Sequence, residues 1–428
     1  MMTRMNRGTN LPAIGGYNRS VVLDAIRRES AGLSRTEIAG RTGLSPQTVT
    51  NVSRRLLEAG LIRESGTVIS GPGKPRTMLQ LESRGRFAVG VHIDPAVLTF
   101  VLLDLVGTVV AHARELTPSA SEPDEVVALM ARSIDGLVVA SGVDRELLLG
   151  VGIASPGPVD IGPGLVLDPP MMPLWRHVPL RRALSEATGL PVLLEKDVTA
   201  CAVAETWLSE GGAGRRTDFA FVYYGTGYGT GLVLGGDVLR GASANAGDSG
   251  HVMVDDHGHR CTCGRIGCVG ELITPHALVR EAVDGGVLVA GDVSDDALAE
   301  AARRGDDVDM RRIDEAFGAL VGKADAGDAG ALAVLHGAGR HLARALVTIV
   351  NLLDLDEIVF GGPFWAPLSR HVLEVLPAAV RGDPALIPKH PVRIVESSIG
   401  IDVAAVGAAC LVLDQTFSPR PSALLIRA

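Results

Sequence analysis

From Asn18 to Arg28 the chain reads NRSVVLDAIRR, with apolar residues at Val21, Val22, Ala25 and Ile26. That i, i+1, i+4, i+5 spacing predicts one buried helical face. The following stretch, LSRTEIAGRTGLSPQTVTNVSRRLLEAGLI, predicts two more helices. The first is short: Ser34 opens it with Glu37 three residues on, a capping box, and Gly43 ends it. The second starts at Ser45 with Pro46 at its first position, where proline costs no hydrogen bond. Its apolar residues Val49, Val52, Leu56 and Leu57 face inward, leaving Gln47, Thr48, Thr50, Asn51, Arg54 and Arg55 outside. Two short helices joined by a glycine turn, the second polar on its outer face, form a helix-turn-helix pattern. GLIRESGTVISGPGKPRTMLQLE then predicts two short strands around a Gly/Pro-rich tip bearing Lys74 and Arg76, a wing.

Beyond Ser83 the period changes. FAVGVHI and LTFVLLDL predict strands, residues 125–139 a helix, and LLLGVGIAS another strand. PLWRHVPLRRALSEATGLPVLLEKDVTACAVAE then predicts a helix, a buried strand, an acidic turn and a helix, an α/β alternation. FAFVYYGTGYGTGLVLGG predicts a strand running into glycines at 225, 227, 229 and 231. Such a turn fits either a backbone cradle for a phosphate or a plain β-hairpin. The charged, Ala- and Asp-rich stretch from Asp284 to Asp328 predicts solvated helices and loops with no function of their own.

The 428 residues and 46% hydrophobic content are enough for two or three cores. No apolar run reaches the ~18 residues of a membrane span, and the N-terminus lacks a signal-type apolar stretch, so a cytoplasmic location is expected. Charge divides the chain. Residues 1–80 carry a balance of +7 and residues 81–428 one of −16. A basic head with an outward polar helix fits the DNA major groove, where Gln and Asn pair with adenine edges and Arg with guanine or phosphate. The bland alternative is a three-helix protein-interaction module with a solvated basic face.

Three of the five cysteines fall in GHVMVDDHGHRCTCGRIGCVGE. His251, Cys261, Cys263 and Cys268 make a Cys₃His set suited to tetrahedral Zn²⁺. Four protein ligands leave no open position for an activated water, so the expected role is structural. A redox pair is the weaker alternative, because CTC lacks the C-x-x-C spacing. Cys201 and Cys410 stand alone in apolar runs and read as buried thiols.

Taken together, GVGIASPGPVD, EKDVTACAVAE, GTGYGTG, AGDSGH, HRCTCGRIGC and IVNLLDLDEIVFGGP resemble the ROK family, which contains sugar kinases and sugar-responsive transcription regulators. The resemblance implies an α/β fold in which a winged helix-turn-helix precedes a two-lobed, actin-like ATPase body with a ligand cleft between its lobes. The implied units are 1–83, a small lobe over 84–197 to which 400–428 returns, and a larger lobe over 198–399 with the zinc loop. Asp197 matches the aspartate that takes the sugar hydroxyl proton in family kinases. His251 matches a residue serving zinc and sugar through its two ring nitrogens. Asp248 stands at a sugar-binding glutamate.

The departures are specific. Where family kinases carry an Asp-x-Gly-Gly-Thr phosphate loop, this chain has His92, Asp94, Pro95 and Ala96. Proline and a carboxylate there remove amide donors and repel a nucleotide. Lys196 replaces an asparagine, a donor and acceptor, with a cation that only donates. It either meets an anionic ligand or pairs with Glu195 or Asp248. The family glutamate after the last zinc cysteine falls at Gly270, and Glu271 comes one later, rotated by roughly 100° if helical. The expected function is a DNA-binding regulator, a repressor by resemblance, sensing a sugar-type effector through Lys196, Asp197, Asp248, His251 and Glu271. Its expected partners are a double-stranded operator and further copies of itself, as homodimer or homotetramer. The alternatives are an ATP-dependent sugar kinase with an added DNA-binding head, and a regulator that has lost its effector.

Overall fold

Two five-stranded sheets face each other across a layer of two helices, and a small winged head packs against one end of that layer. The computed structural model describes residues 11–68, 75–118, 122–170, 172, 174–208, 216–258, 260–301, 303 and 308–419.

The head comprises α1 (Leu11–Arg27), β1 (Leu33–Ser34), α2 (Arg35–Thr42), α3 (Pro46–Glu58), β2 (Ile62–Val68) and β3 (Arg76–Leu81). Its caps form as the sequence predicts. The Ser34 side chain accepts from the Glu37 N–H, and the Glu37 carboxylate accepts from the Ser34 N–H at 2.8 Å. Gly43 closes α2 in the left-handed region at φ 70°, and Ser45 caps α3. Val49, Val52 and Leu56 are buried against α1 and α2. Helix α1 begins at Leu11 rather than near Asn18; Gly15 and Gly16, poor helix formers, mask its first turns in the sequence. The three strands pair in the order β1-β3-β2, so the wing is an antiparallel hairpin.

The first body sheet contains β4 (Phe87–Ile93), β5 (Val97–Asp104) and β6 (Val109–Leu116), an antiparallel meander. After α4 (Pro123–Ser141) come β7 (Leu148–Ser155), the small hairpin β8 (Val159–Asp160) and β9 (Leu165–Val166), α5 (Leu180–Thr188) and β10 (Val192–Lys196). β7 and β10 add parallel to β4, giving the order β10-β7-β4-β5-β6. Helices α4 and α5 cover the outer face. β10 runs straight into α6 (Asp197–Leu208), so the acidic turn is the helix start itself.

The second sheet begins with β11 (Phe219–Tyr224), β12 (Tyr228–Leu234) and β13 (Asp237–Val238). β11 and β12 pair antiparallel from Tyr224 and Tyr228 outward. The glycine-rich run is therefore a β-hairpin, with Gly225, Thr226 and Gly227 at its tip and Gly229 and Gly231 inside a strand. The chain continues through α7 (Gly270–Ile273), α8 (Pro275–Asp284), α9 (Asp295–Ala301), α10 (Met310–Asp325) and α11 (Ala329–Leu353). It then adds β14 (Glu357–Gly361), α12 (Trp365–Gly382) and β15 (Arg393–Glu396), for a sheet order of β13-β12-β11-β14-β15. The structure corrects the reading of residues 284–328 as solvated. Leu288, Val293, Ala297, Met310, Ile313, Phe317 and Leu320 are buried in the core of this lobe, their spacing diluted in sequence by alanine and aspartate.

The last helix, α13 (Val403–Phe417), packs across β4 and β7, while α6 packs on β11 and β12. Contact between α13 and the sheet is backbone on backbone: a Cβ at Gly152 would stand 1.8 Å from the Ala408 carbonyl oxygen. Only glycine permits that approach. Cys201 and Cys410, both buried in this layer, are core thiols. Among the described residues no helix is long and apolar enough to cross a membrane.

Candidate functional site

Helix α3 exposes Gln47, Thr50, Asn51, Arg54 and Arg55 to solvent, with Thr48 half-buried beside its cap. Among the described residues neither Arg54 nor Arg55 has a close ion pair: Arg54 stands 4.0 Å from Glu58, a loose exposed contact. Gln47 and Asn51 touch at 3.5 Å across one helical turn and form an amide row. Arg76, exposed, opens β3 at the tip end of the wing, paired with Val68. Lys74 lies outside the described residues.

The second assembly of polar groups is a cleft of about 140 Å³ between the two sheets. It is lined by the end of β4 at Asp94 and Pro95, by Lys196 and Asp197 at the junction of β10 and α6, by Tyr223 and the hairpin tip, and by Asp248. Burial raises the Asp197 carboxyl to about 6, and the neighbouring Asp94 and Asp248 add to that while Lys196 opposes it. Lys196 is only 6% exposed. Among the described residues its ammonium has no hydrogen bond and no carboxylate within 4.0 Å. Glu195 is engaged elsewhere, by Arg240 at 2.6 Å. The Lys196 stem crosses Gly157, where a Cβ would stand 2.9 Å from Cε, so the glycine makes room for the lysine.

Sequence reasoning missed Tyr223. Its hydroxyl is buried, lines the cleft and has no hydrogen-bond partner among the described residues. No local signal marks it, because its neighbours belong to another strand. His92 packs edge-on against it with ring centroids 5.9 Å apart, and burial holds His92 down at about 4, in the neutral form. Asp94 is also buried, and burial raises its carboxyl. Its Oδ2 accepts from the Thr226 hydroxyl at 3.0 Å and its Oδ1 from the Ala96 N–H at 2.9 Å. A carboxylate from the first sheet thus meets the hairpin tip of the second.

His251 and Glu271 do not line the cleft. The single turn α7 places the Glu271 carboxylate 3.0 Å from Arg280, a buried guanidinium, so its charge is already engaged. His251 belongs to the cysteine cluster. Its Nδ1 stands 3.3 Å from Cys261 Sγ, Cys263 Sγ stands 3.6 Å from Cys268 Sγ, and all four donor atoms lie within 4.8 Å of one another. Donors held about 2.0–2.3 Å from one tetrahedral ion are separated by roughly 3.5–3.8 Å. The geometry fits. Burial pushes the Cys268 thiol up to about 12, with its two neighbouring sulfurs adding to the shift. Such crowding disfavours several thiolates unless a cation shares them.

Known proteins decide the family. A family model described as "ROK family" matches residues 88–415, and one described as "Winged helix-turn-helix DNA-binding" matches residues 21–63. The chain belongs to the ROK family. Among its ROK relatives is the DNA-binding transcriptional repressor Mlc of Escherichia coli (strain K12), 26% identical over 427 residues that cover 95% of this chain and 97% of that one. A crystal structure of a ROK family transcriptional regulator, a homolog of the E. coli protein, superposes with a TM-score of 0.72 at 24% identity, covering 95% of this chain and 98% of its own. A ROK family glucokinase from Streptomyces griseus, solved with glucose and AMPPNP, superposes with a TM-score of 0.61 at 24% identity over 76% of this chain and 98% of that one. The glucokinase match leaves about a quarter of this chain uncovered. This ROK protein is a DNA-binding transcriptional regulator: a winged helix-turn-helix followed by a sugar-kinase-like body.

Proposed function

We propose that the protein represses transcription from an operator it reads with α3 and its wing, and that its body senses a sugar or sugar derivative without phosphorylating it. The observation that carries the effector reading is the donor and acceptor set of the cleft. The Lys196 ammonium and the buried Tyr223 hydroxyl offer donors without partners among the described residues, while Asp197 and Asp248 offer acceptors. Unmet buried polar groups are costly, and a hydroxyl-rich molecule satisfies both kinds at once. Lys196 asks that the ligand present an acceptor, as a hydroxyl, a carboxylate or a phosphate does. His251 and Glu271 stand outside this set, one with the cysteines and one with Arg280.

The same cleft argues against turnover. Asp197 remains where a base would be needed, but the place for a nucleotide phosphate is taken by the Asp94 carboxylate against Thr226, with Pro95 beside it. The carboxylate would repel a phosphate there, and the proline withholds the backbone N–H that would have held it.

We assign the Cys₃His cluster to a structural Zn²⁺, which would join the loop after β13 to the start of α7. The ion would supply cohesion and no catalysis, its four positions being filled by protein. The units we assign are 1–83, 84–197 with 400–428, and 198–399. One reader helix covers few base pairs, so we propose a symmetric homodimer or homotetramer on paired half-sites, acting in the cytoplasm where operator DNA is found.

The test is fluorescence anisotropy of the full chain on duplexes selected from a random-sequence library, across salt concentration and then with a panel of sugars, sugar phosphates and sugar acids. Specific, salt-steep binding that one panel member shifts supports the reading. Specific binding that none shifts leaves a repressor without a sugar effector. Sugar-dependent ADP release from ATP, abolished by Asp197→Asn, would replace the sensor with a kinase.

A further inference from the structure

Helix α6 runs from the cleft to the head. Its first residue, Asp197, lines the cleft, and its last but one, Trp207, lies beneath Arg27 of α1. The guanidinium carbon of Arg27 stands 4.1 Å from the centroid of the Trp207 ring, a cation–π contact. Arg27 also donates to the Trp207 carbonyl and pairs with Asp24 at 2.8 Å, its side chain only 11% exposed. Twelve residues of α-helix span about 18 Å.

Little along that length can absorb a shift. A Cβ at Gly231 of β12 would stand 2.1 Å from the Val198 carbonyl oxygen, and one at Gly407 of α13 would stand 2.0 Å from that of Ala200. Backbone meets backbone on two sides, where flexible side chains would otherwise yield. At the far end, Val22, Leu23 and Ile26 of the head share one continuous core with Val203, Ala204 and Trp207. Helix α1 in turn packs on α3.

We propose that Arg27 is a positioning residue that joins the DNA reader to the sensing cleft. In this scheme α6 moves as a rod: a ligand or charge change at Asp197 shifts its N-terminus, Trp207 follows, and Arg27 carries the displacement through α1 to the orientation of α3. The coupling needs two packed arrangements of α6 that the cleft and the DNA favour differently. It rests on the regulator reading above and adds the contact through which regulation passes.

The test is a double-mutant cycle in the full chain, on a duplex that the wild-type protein selects from a random-sequence library. At neutral pH, Asp197→Asn removes a charge at the cleft end of α6 and is expected to change duplex affinity about tenfold, within the range of allosteric couplings. In an Arg27→Met background the same change is expected to move affinity less than twofold, and Arg27→Lys, which restores a cation over the ring, to recover part of the effect. Trp207→Leu breaks the contact from the body side and must cause the same loss, which keeps the test decisive if Arg27→Met fails to fold. An equal effect of Asp197→Asn with and without Arg27 overturns the joint, as does the absence of any effect in the wild-type background. Failure to select any duplex removes the regulator reading itself, and the joint falls with it.

Discussion

In the head, Gln47, Asn51, Arg54 and Arg55 stand exposed on one helix, spaced so that a regular partner can meet them together. In the body, Lys196, Tyr223 and Asp197 come from different elements and are largely withdrawn from water. The first arrangement costs the fold almost nothing, because solvated side chains leave the core undisturbed. The second is strained by desolvation: a carboxyl raised to about 6 and a buried tyrosine hydroxyl without a partner among the described residues are tolerated only because the surrounding sheets hold them. Mutations should therefore separate the regions. Body changes move stability, in either direction, and reach DNA only through α6, whereas reader changes move DNA affinity and leave stability alone.

The largest effect is expected at the cysteine cluster. Cys263→Ser removes one donor of four, and structural zinc sites contribute apparent binding energies of about 10 kcal/mol or more to folding. Bound zinc measured on the purified protein should fall from one per chain, and the melting temperature of the body should drop by well over ten degrees. A parent that melts unchanged after exhaustive chelation, or a zinc-free variant that melts like the zinc-loaded parent, would break the structural assignment. The head, whose buried residues include none of the four cluster donors, should keep its helical signal.

Asp197→Asn should have the opposite sign. Burial holds the folded-state carboxyl above its ordinary value of 3.8. The stability linked to its proton is therefore full below about 3.8 and lost as pH rises through about 6. At pH 7 the ionised group costs on the order of 2 kcal/mol, discounting for the open side of the cleft. The asparagine variant should melt higher at pH 7, and its advantage should shrink as the pH is lowered to 5. An advantage independent of pH would place the cost in packing and not in charge.

The contrast between the regions also decides what the chain discloses before it folds. Ser34, Glu37, Gly43, Ser45 and Pro46 act within four residues of themselves, so the head's helices and their ends are legible from spacing. The cysteine cluster is legible for the same reason, since its donors fall within one short loop. The contact of Asp94 with Thr226 joins residues 132 apart, and nothing near either one announces it. Tyr223 reads as an ordinary strand tyrosine until β4 and β10 are brought around it. Glu271 is a candidate ligand as the carboxylate one residue beyond the family position, and only the fold shows Arg280 engaging it. In residues 284–328 the packing side chains, Leu288, Val293, Met310, Ile313, Phe317 and Leu320, are spread among alanines and aspartates, so a core region passes for surface.

The smallest effect is expected where the side chain is most exposed. Arg54→Ala should leave the melting temperature within about a degree, because its pair with Glu58 is loose and solvated. Its effect belongs to DNA, and salt dependence tells which part of DNA it meets. If Arg54 holds a phosphate, affinity should weaken equally on all sequences and the slope of log K against log salt should fall by about 1. If it reads a guanine edge, the loss should be about 1–3 kcal/mol on the selected duplex, nearly absent on a duplex changed at that position, and accompanied by relaxed preference there. An unchanged affinity with an unchanged slope would remove Arg54 from the interface and leave the groove to Asn51 and Gln47, about one and two helical turns back.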